Sequence, residues 1–473
     1  MIPSMLAPLA IILVLGICYI CTIAPDLTWA HLSADGGDLI TATVTGGVPH
    51  PSGYPLYMIL ARGFQFIPIE TLAFRTNLFS AVCTILTALV LYKYLDRLLP
   101  VSLWARYISF ITSIGYGLAP FIWGQALVTE VYALHGLLMI VCLFVLGVNE
   151  IKISEWLRGG VFGLAATNHL TSILLFPLLA IGLDKKPGES FSIIFRRSLG
   201  ILSSLSLYLL LPLRAVGNPP INWGNASSIN GFFWLVSGQL YARYSTSLSL
   251  ADILQRFRAF AGLLLVQYTV IGVLLGIYGL FSGIPRRVLV PTVWMGLVFL
   301  FFSVFYGSYD SQVNLLPVWL VFSIWIAYGL FDLFSFLQDR AKLQKLLAPL
   351  LFLLLMIRLP FVYPSVDLSK DSQATDFIKQ SLLEIPKDSI VFVEGDGQIF
   401  SLWYAQFALN QRKDMMIIAS GLLPYPWYLE GLQQTYPYLN LPEKKELHPQ
   451  DLTYANPNRP ICYISPDRPI ECK

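Results

Sequence analysis

Apolar runs, each about 20 residues long, follow one another over roughly the first three quarters of this chain. An α-helix of that length crosses the hydrocarbon core of a bilayer and satisfies its own backbone hydrogen bonds there. Only 12% of the residues are charged, whereas a soluble domain carries about 25%. The sequence therefore predicts a multi-pass membrane protein whose solvent is largely lipid.

The apolar runs predict about eleven membrane-spanning helices, and the first run is read as an uncleaved helix. Two of the runs are too short for full spans, and Asn168 and His169 divide them. We expect these two to be tilted or broken helices packed inside protein. The predicted spans are 5–24, 76–95, 105–122, 131–149, 157–167, 170–183, 198–213, 259–281, 288–306, 313–335 and 346–363.

Lys and Arg residues fall in alternate short loops and predict the orientation of the chain. By the positive-inside rule these loops are cytoplasmic, which places the N-terminus inside. Residues 1–363 then form the transmembrane domain, with long outer loops at 25–75 and 214–258, and residues 364–473 lie outside. The basic residues concerned are Lys93, Arg97, Lys152, Arg158, Lys185, Lys186, Arg196, Arg197, Arg286, Arg287, Arg340, Lys342 and Lys345.

The C-terminal region is more polar and predicts a small α/β domain. Residues 388–396 and 414–421 have the apolar character of strands, and residues 399–409 between them are predicted to form a helix. Cys462 and Cys472 either form a disulfide, if this end faces an oxidising compartment, or stay free. The predicted fold class is an all-α polytopic membrane protein with a small extracytoplasmic α/β region.

On this topology, the polar residues that interrupt apolar sequence all lie at the outer ends of the spans. Such groups are costly in or beside hydrocarbon and are candidates for function by default. Each also has a structural explanation, such as a capping acid, a core histidine or an interfacial arginine, and only their convergence on one face favours function. The set comprises Asp35, Asp38, His50, Glu130, His135, Asn168, His169, Arg214 and Asp310.

Two outer segments are rich in proline and glycine. GGVPHPSGYPLY (46–57) has three prolines and three glycines, which predict a rigid, non-helical path beside the membrane. RAVGNPPINWGN (214–225) is a second such segment. A flexible loop does not need this composition, so we predict that both segments form shaped walls near a site.

The segment DGGDLITATVTGGVPHPSGYPLY (35–57) resembles the signature of a multi-pass family that includes the animal transmembrane O-mannosyltransferase acting on plexin-type receptor domains. Asp35 is retained, but Asp38 stands where the family has Glu. Similar segments follow in order through nearly the whole chain. They are WGQALVTEVYALHGL (123–137), GLAATNHLTSILLFP (163–177), LYLLLPLRAVGNPPINWGN (207–225), FFWLVSGQLYARY (232–244), YGSYDSQVNLLP (306–317) and DSIVFVEGDGQIFSLWYAQ (388–406).

The resemblance implies a glycosyltransferase of the GT-C type. Such enzymes take a sugar, mannose in the animal relative, from a polyprenyl-phosphate donor and transfer it to an acceptor on the non-cytoplasmic side. An acidic residue in the first outer loop acts as base or positions the acceptor. The implied partners are the lipid-linked donor, the bilayer and a protein, lipid or glycan acceptor, without a cofactor.

The candidate residues fit this chemistry. An acceptor hydroxyl that attacks an anomeric carbon needs a carboxylate to take its proton, and we expect Asp35, or else Asp38, in this role. A cation stabilises a leaving phosphate, and the candidates are Arg214 and Arg243. The other candidates orient sugar or acceptor, or anchor the loops at the interface: His50, Tyr54, Glu130, His169, Trp223 and Asp310.

Two rival functions would use the same outer cavity. A transporter or flippase of lipid-linked sugars needs polar groups deep in the membrane, and the last four predicted spans carry almost no mid-membrane charge. A non-catalytic scaffold is the other. No metal-ligand pattern is present in the sequence, and the net charge of +3, without basic runs, gives no indication of a nucleic-acid partner. The compact chain favours a bacterial inner membrane, with the endoplasmic reticulum as the alternative.

Overall fold

A computed structural model describes residues 6–148, 153–183, 187–245, 248–444, 447–466 and 468–473. Lys152, Lys185 and Lys186, which contribute to the predicted orientation, lie outside the described residues. The α-helices up to residue 366 are α1 (Leu6–Thr22), α2 (Gly36–Thr45), α3 (Pro55–Gln65), α4 (Leu72–Leu98), α5 (Leu103–Gly117), α6 (Pro120–Ala126), α7 (Tyr132–Gly147), α8 (Glu155–Asn168), α9 (Pro187–Leu205), α10 (Leu210–Ala215), α11 (Ile229–Val236), α12 (Leu250–Leu280), α13 (Arg286–Phe305), α14 (Leu316–Phe336) and α15 (Ala341–Val366).

Within the described ranges, six helical stretches are long and apolar enough to cross a membrane. Every predicted span falls on a helical segment, but the others contain only 11 to 17 residues. The predicted number of about eleven membrane-spanning helices is therefore not confirmed. The six stretches are Leu72–Leu98, Gly188–Ala215, Leu250–Leu280, Arg286–Phe305, Ser311–Phe336 and Ala341–Val366.

The predicted break between two short spans is confirmed. α8 ends at Asn168, His169 is extended (φ −150°, ψ 126°), and Leu170–Ala180 continues as a 3₁₀-helix. α8 also packs closely on α9, because a Cβ at Gly159 would lie 1.9 Å from the carbonyl oxygen of Arg197. Contact through such a small residue lets two backbones approach and holds the broken segment against the bundle.

A second break interrupts α12 at Thr269, whose φ of 60° and ψ of 172° are not helical. Arg358 of α15 donates hydrogen bonds to the carbonyl oxygens of Gln267, at 2.7 Å, and Val266. A membrane protein tolerates a broken helix when a neighbouring helix satisfies the freed backbone groups. Arg358 is thus a charged residue with a structural partner inside a predicted span.

The C-terminal region contains a four-stranded sheet with short helices around it. β1 (Ile390–Val393) is parallel to β2 (Met416–Ala419) and to β3 (Ile461–Ile464), and β4 (Glu471–Cys472) is antiparallel to β3. The strand order is β2-β1-β3-β4, so both predicted strands and the helix between them are confirmed. The helices are α16 (Gln373–Glu384), α17 (Asp396–Trp403), α18 (Pro426–Thr435) and α19 (Pro449–Ala455).

A disulfide joins Cys462 of β3 to Cys472 of β4 and ties the edge strand to the rest of the sheet. It settles the pairing that the sequence leaves open. The sequence analysis does not predict β3 or β4.

The first outer loop is more helical than predicted. α2 and α3 occupy much of residues 25–75, and α3 begins at Pro55. The prediction of a non-helical path over residues 46–57 is therefore wrong for its last three residues. Proline suits the first helical position because its φ is fixed near the helical value and its missing N–H has no partner there to lose.

Backbone hydrogen bonds join the two proline-rich segments. The N–H of Val48 donates to the carbonyl oxygen of Ile221 at 2.8 Å, and the carbonyl oxygen of Val48 accepts the N–H of Trp223 at 3.1 Å. This pairing brings the indole of Trp223 beside the first outer loop, which carries Asp35, Asp38, His50 and Tyr54.

Candidate active site

Asp38 is the centre of the hydrogen-bond network at the candidate site. It lies in the first turn of α2, and none of its side chain is exposed. Its Oδ2 accepts the backbone N–H of His50 at 2.9 Å and lies 2.7 Å from Nδ1 of the same residue. Its Oδ1 accepts the indole N–H of Trp223 at 3.0 Å. The carboxylate therefore fixes the orientation of both rings.

Asp35 lies on the other side of the imidazole. Nε2 of His50 is 3.5 Å from Oδ2 of Asp35, whereas Nδ1 faces Asp38. The Asp35 side chain is 31% exposed, so its carboxylate is accessible to a substrate, unlike that of Asp38. The imidazole thus connects one enclosed carboxylate to one open carboxylate.

Burial and charge shift the ionisation of this group. Burial raises the pKa of Asp35, the charge of His50 opposes the rise, and the pKa reaches about 7. The nearby carboxylates of Asp396, Asp310 and Asp38 also contribute to the raised pKa of Asp35. Burial lowers the pKa of His50, but the two flanking carboxylates outweigh burial and raise it to about 9. A pKa near neutrality is the value that suits a general base.

The proline-rich turn presents the imidazole to the site. The N–H of Gly53 donates to the carbonyl oxygen of His50 at 2.9 Å, and the hydroxyl of Tyr54 donates to that of Pro51 at 2.8 Å. Tyr54 has a positive φ of 43°, and Pro55 starts α3 directly after it. The Tyr54 ring then packs edge-on against the imidazole, with 5.0 Å between centroids.

The C-terminal region covers the site through α17. A Cβ at Gly37 would lie 2.3 Å from the carbonyl oxygen of Phe400, so α2 and α17 touch along their backbones. The Phe400 ring stacks on His50 with 6.5 Å between centroids, and the indole N–H of Trp29 donates to the backbone of α17 at 3.0 Å. These contacts bring Asp396, the first residue of α17, to the site.

Asp396 is a site residue that the sequence analysis misses. Burial raises the pKa of its carboxyl, the charge of His50 lowers it, and Asp38 and Asp310 raise it. Its carboxyl is thus within electrostatic reach of the predicted acids. The sequence feature that could have identified Asp396 is the segment 388–406, which resembles a family segment and contains this acid.

A second group of predicted residues lies at the N-terminal end of α7. Only 3% of Glu130 is exposed, and burial and the neighbouring carboxylates raise its pKa well above the ordinary value. The His169 ring lies 5.6 Å from that of Tyr132 and 6.3 Å from that of Tyr54, measured between centroids. Tyr54 thus connects the His50 turn to this second group.

The predicted arginines and Asp310 lie at the margin of the site. Arg214 donates to the carbonyl oxygen of Gly47 at 3.4 Å, and the exposed Arg243 donates to the hydroxyl of Tyr244 at 3.1 Å. Asp310 begins a 3₁₀ turn and is near enough to raise the pKa of the buried acids. In the described ranges, these acids do not join His or Cys in a group of three or more that could hold a metal ion.

Arg256 of α12, which the sequence analysis does not select, holds the loop that carries Asp310. Its guanidinium donates to the carbonyl oxygens of Tyr306 at 2.8 Å and Ser308 at 3.0 Å. It also donates to the hydroxyl of Ser311 at 2.6 Å. This fork explains how an exposed loop keeps a defined position beside the site.

Two family models match the chain. The model described as the Protein O-mannosyl-transferase TMEM260 N-terminal domain matches residues 35–186, and the TMEM260-associated domain 2 matches residues 374–454. The resemblance to the TMEM260 family is thereby confirmed. The first TMEM260 match begins at Asp35 and includes the acids of α2 and the histidine turn, and the second includes Asp396.

Curated relatives carry the same family name. The chain is 23% identical over 475 residues to Protein O-mannosyl-transferase tmem260 of Dictyostelium discoideum, covering 86% of this chain and 57% of that protein. It is 23% identical over 471 residues to Protein O-mannosyl-transferase TMEM260 of Mus musculus, covering 86% and 62%. The chain therefore spans about three fifths of the length of these relatives.

Solved structures share the fold of this chain. ArnT from Cupriavidus metallidurans, bound to undecaprenyl phosphate, matches with a TM-score of 0.58 and 12% identity over 98% of this chain and 93% of ArnT. The Archaeoglobus fulgidus oligosaccharyltransferase in complex with Zn and sulfate matches with a TM-score of 0.51 and 11% identity, over 91% and 66%. The fold is thus that of GT-C enzymes.

Proposed function

We propose that this chain is a glycosyltransferase that moves a sugar from a polyprenyl-phosphate donor to an acceptor hydroxyl on the non-cytoplasmic face, with Asp35 as general base. The observation that carries the proposal is the contrast between the two acids. Asp38 is fully enclosed and occupied by three donors, whereas Asp35 is partly exposed beside the His50 imidazole.

The reaction needs one proton acceptor and no proton donor. Asp35 takes the proton of the acceptor hydroxyl while its oxygen attacks the anomeric carbon of the sugar. The bond between that carbon and the phosphate oxygen breaks, and the phosphate leaves with the electron pair. Asp38 acts through His50 as a positioning residue, and the imidazolium favours the ionised form of Asp35 before the proton is taken.

The remaining candidate residues have supporting roles in this proposal. Arg214 and Arg243 stabilise the charge on the leaving phosphate from the margin of the site. Tyr54 and Trp223 present ring faces and edges to the sugar or acceptor, and Asp310 orients the acceptor. Glu130 and His169 act on the donor side. Asp396, from α17, orients the acceptor opposite them.

The identity of both substrates rests on similar proteins. The ArnT structure is described as bound to undecaprenyl phosphate, and the curated relatives are named protein O-mannosyl-transferases. We therefore propose a mannose-bearing polyprenyl phosphate as donor and a Ser or Thr hydroxyl of a protein as acceptor. A lipid or glycan acceptor remains the alternative, since the same base serves any hydroxyl.

We propose that the C-terminal region and the site face the non-cytoplasmic side. The disulfide between Cys462 and Cys472 supports this side, because such bonds persist in oxidising compartments. The relatives from Dictyostelium discoideum and Mus musculus fit an endoplasmic reticulum membrane, and the bacterial inner membrane is the alternative.

Reconstitution tests the proposed reaction. The purified chain in nanodiscs is mixed with mannosyl polyprenyl phosphate and a library of Ser- and Thr-containing peptides, and products are read by mass spectrometry. We expect a gain of one hexose on a peptide, with loss of one sugar from the lipid. Sugar-lipid that crosses the bilayer of reconstituted vesicles without being consumed would contradict transfer and favour a flippase.

A further inference from the structure

Four buried side chains near the candidate site have a polar atom without a partner among the described residues: Oε1 of Glu130, Nε2 of His135, Oδ1 of Asn168 and the hydroxyl of Tyr57. Each of these four residues is at most 3% exposed. Buried polar groups in folded proteins are nearly always hydrogen-bonded. Several unpaired groups beside one site therefore call for an explanation.

Three of the four groups, those of Glu130, His135 and Asn168, lie at the N-terminal end of α7. The carbonyl oxygen of Val131 accepts the side-chain amide of Asn168 at 3.2 Å and the backbone N–H of His135 at 3.1 Å. Glu130 immediately precedes this residue, and its carboxyl lies within electrostatic reach of the hydroxyl of Tyr57. Glu130, His135 and Asn168 thus lie in one neighbourhood, and the hydroxyl of Tyr57 is within electrostatic reach of it.

This neighbourhood is continuous with the proposed base. The His135 ring lies 5.0 Å from that of His169, which in turn lies 6.3 Å from that of Tyr54. Tyr54 packs on His50, whose Nε2 faces Asp35. An unbroken series of rings therefore leads from the base to the unpaired groups.

The chemistry of the four groups selects an uncharged ligand. An amide and a phenol are neutral, and burial raises the pKa of Glu130 well above its ordinary value, which favours the neutral form. No Lys or Arg is among them, so the group does not suit a phosphate. One carboxyl, one amide oxygen, one imidazole nitrogen and one hydroxyl can donate to and accept from several hydroxyls, as a sugar ring requires.

We propose that Glu130, His135, Asn168 and Tyr57 form the binding site for the sugar ring of the donor, on the inner side of Asp35. This inference rests on the proposed function and specifies where the transferred sugar is held. The hydroxyls of the sugar supply the partners that the four atoms lack. The phosphate and the polyprenyl chain are held elsewhere.

The test compares two ligands and three variants. Affinities of the full chain in nanodiscs are measured for mannosyl polyprenyl phosphate and for polyprenyl phosphate. The affinity ratio, that of the mannosyl lipid divided by that of the lipid without sugar, isolates the contribution of the sugar. Tyr57→Phe and His135→Phe each remove an unpaired polar atom and keep an aromatic ring. Tyr94→Phe is the matched control, because its buried hydroxyl is also unpaired but belongs to the last turns of α4.

We expect the affinity ratio to fall about three- to tenfold in Tyr57→Phe and in His135→Phe, the effect of one hydrogen bond, with unchanged affinity for polyprenyl phosphate. Tyr94→Phe should leave the ratio unchanged. A ratio that is unaltered in both site variants would overturn the proposal, as would a wild-type ratio of one. If the affinity ratios change as predicted in the variants but the wild type transfers no sugar, the proposed function is contradicted. The proposed sugar site is then still supported.

Discussion

The pH dependence of sugar transfer follows from the environment of Asp35. The side chain must be ionised to accept a proton, and burial, only partly offset by His50, raises its pKa to about 7. At pH 6 about one tenth of such a group is ionised, and at pH 8 about nine tenths. We therefore expect the rate of the chemical step to fall about tenfold between pH 8 and pH 6.

Replacing the imidazole should move this dependence in a defined direction. His50→Gln removes the positive charge that lowers the pKa of Asp35, while the new amide can still donate to Asp38. The pKa of Asp35 then rises, so the fall in rate should begin at a higher pH than in the wild type.

Single-turnover measurements separate the chemical step from substrate binding and product release. Enzyme in excess over donor is quenched at intervals between pH 5 and pH 9, and thermal unfolding at each pH confirms that the chain stays folded. The donor is a phosphodiester and does not titrate in this range. A rate that is flat from pH 5 to pH 8, or a fall that moves to lower pH in His50→Gln, would refute the assignment.

Three further predictions concern the frame of the site. Trp223→Phe leaves Oδ1 of the buried Asp38 without its indole donor, so we expect a loss of about 1–3 kcal/mol in the free energy of unfolding and a slower transfer; an unchanged Tm would speak against it. Gly37→Ala places a Cβ 2.3 Å from the carbonyl oxygen of Phe400, and should separate α17 from α2, detected as faster proteolysis of the C-terminal region; equal cleavage rates would contradict this contact. Reduction of the β3–β4 disulfide, which closes a sequence separation of 10, should destabilise the C-terminal sheet by about 3 kcal/mol, measured by chemical unfolding.

Local sequence was sufficient to predict a largely helical chain and a non-helical path over residues 46–54. Apolar runs mark helices because period and length are local properties. The prolines of the segment 46–57 likewise fix the turn through their own dihedral angles. The number of full spans was not predictable from these runs, because a short apolar helix can be buried in protein as well as in lipid.

The contribution of the C-terminal region could not be predicted from local sequence. Asp396 and Asp35 are separated by most of the chain, and no pattern within either segment specifies that α17 packs on α2. The contact is made possible by Gly37, whose missing Cβ admits the backbone of Phe400. Gly37 directly precedes Asp38, and the sequence predicts only that it belongs to the outer loop 25–75.

The same limit applies to the roles of the two predicted acids. Asp35 and Asp38 are three residues apart, and either one fits the sequence as base. Only the three-dimensional arrangement distinguishes them, because Trp223 arrives from the second outer segment and occupies Asp38. The unpaired atoms of Glu130 and Asn168 are equally invisible in sequence, since satisfaction of a polar group depends on its neighbours in space.

In the proposed reaction Asp35, rather than Asp38, takes the proton of the acceptor. The most direct measurement is the single-turnover rate of Asp35→Asn against that of the wild type at pH 8, with Asp38→Asn beside it. We predict a loss of about 100- to 10,000-fold for Asp35→Asn with unchanged affinity for the donor, as expected when a general base is removed. Wild-type transfer by Asp35→Asn, together with an inactive but folded Asp38→Asn, would contradict the account and exchange the two roles.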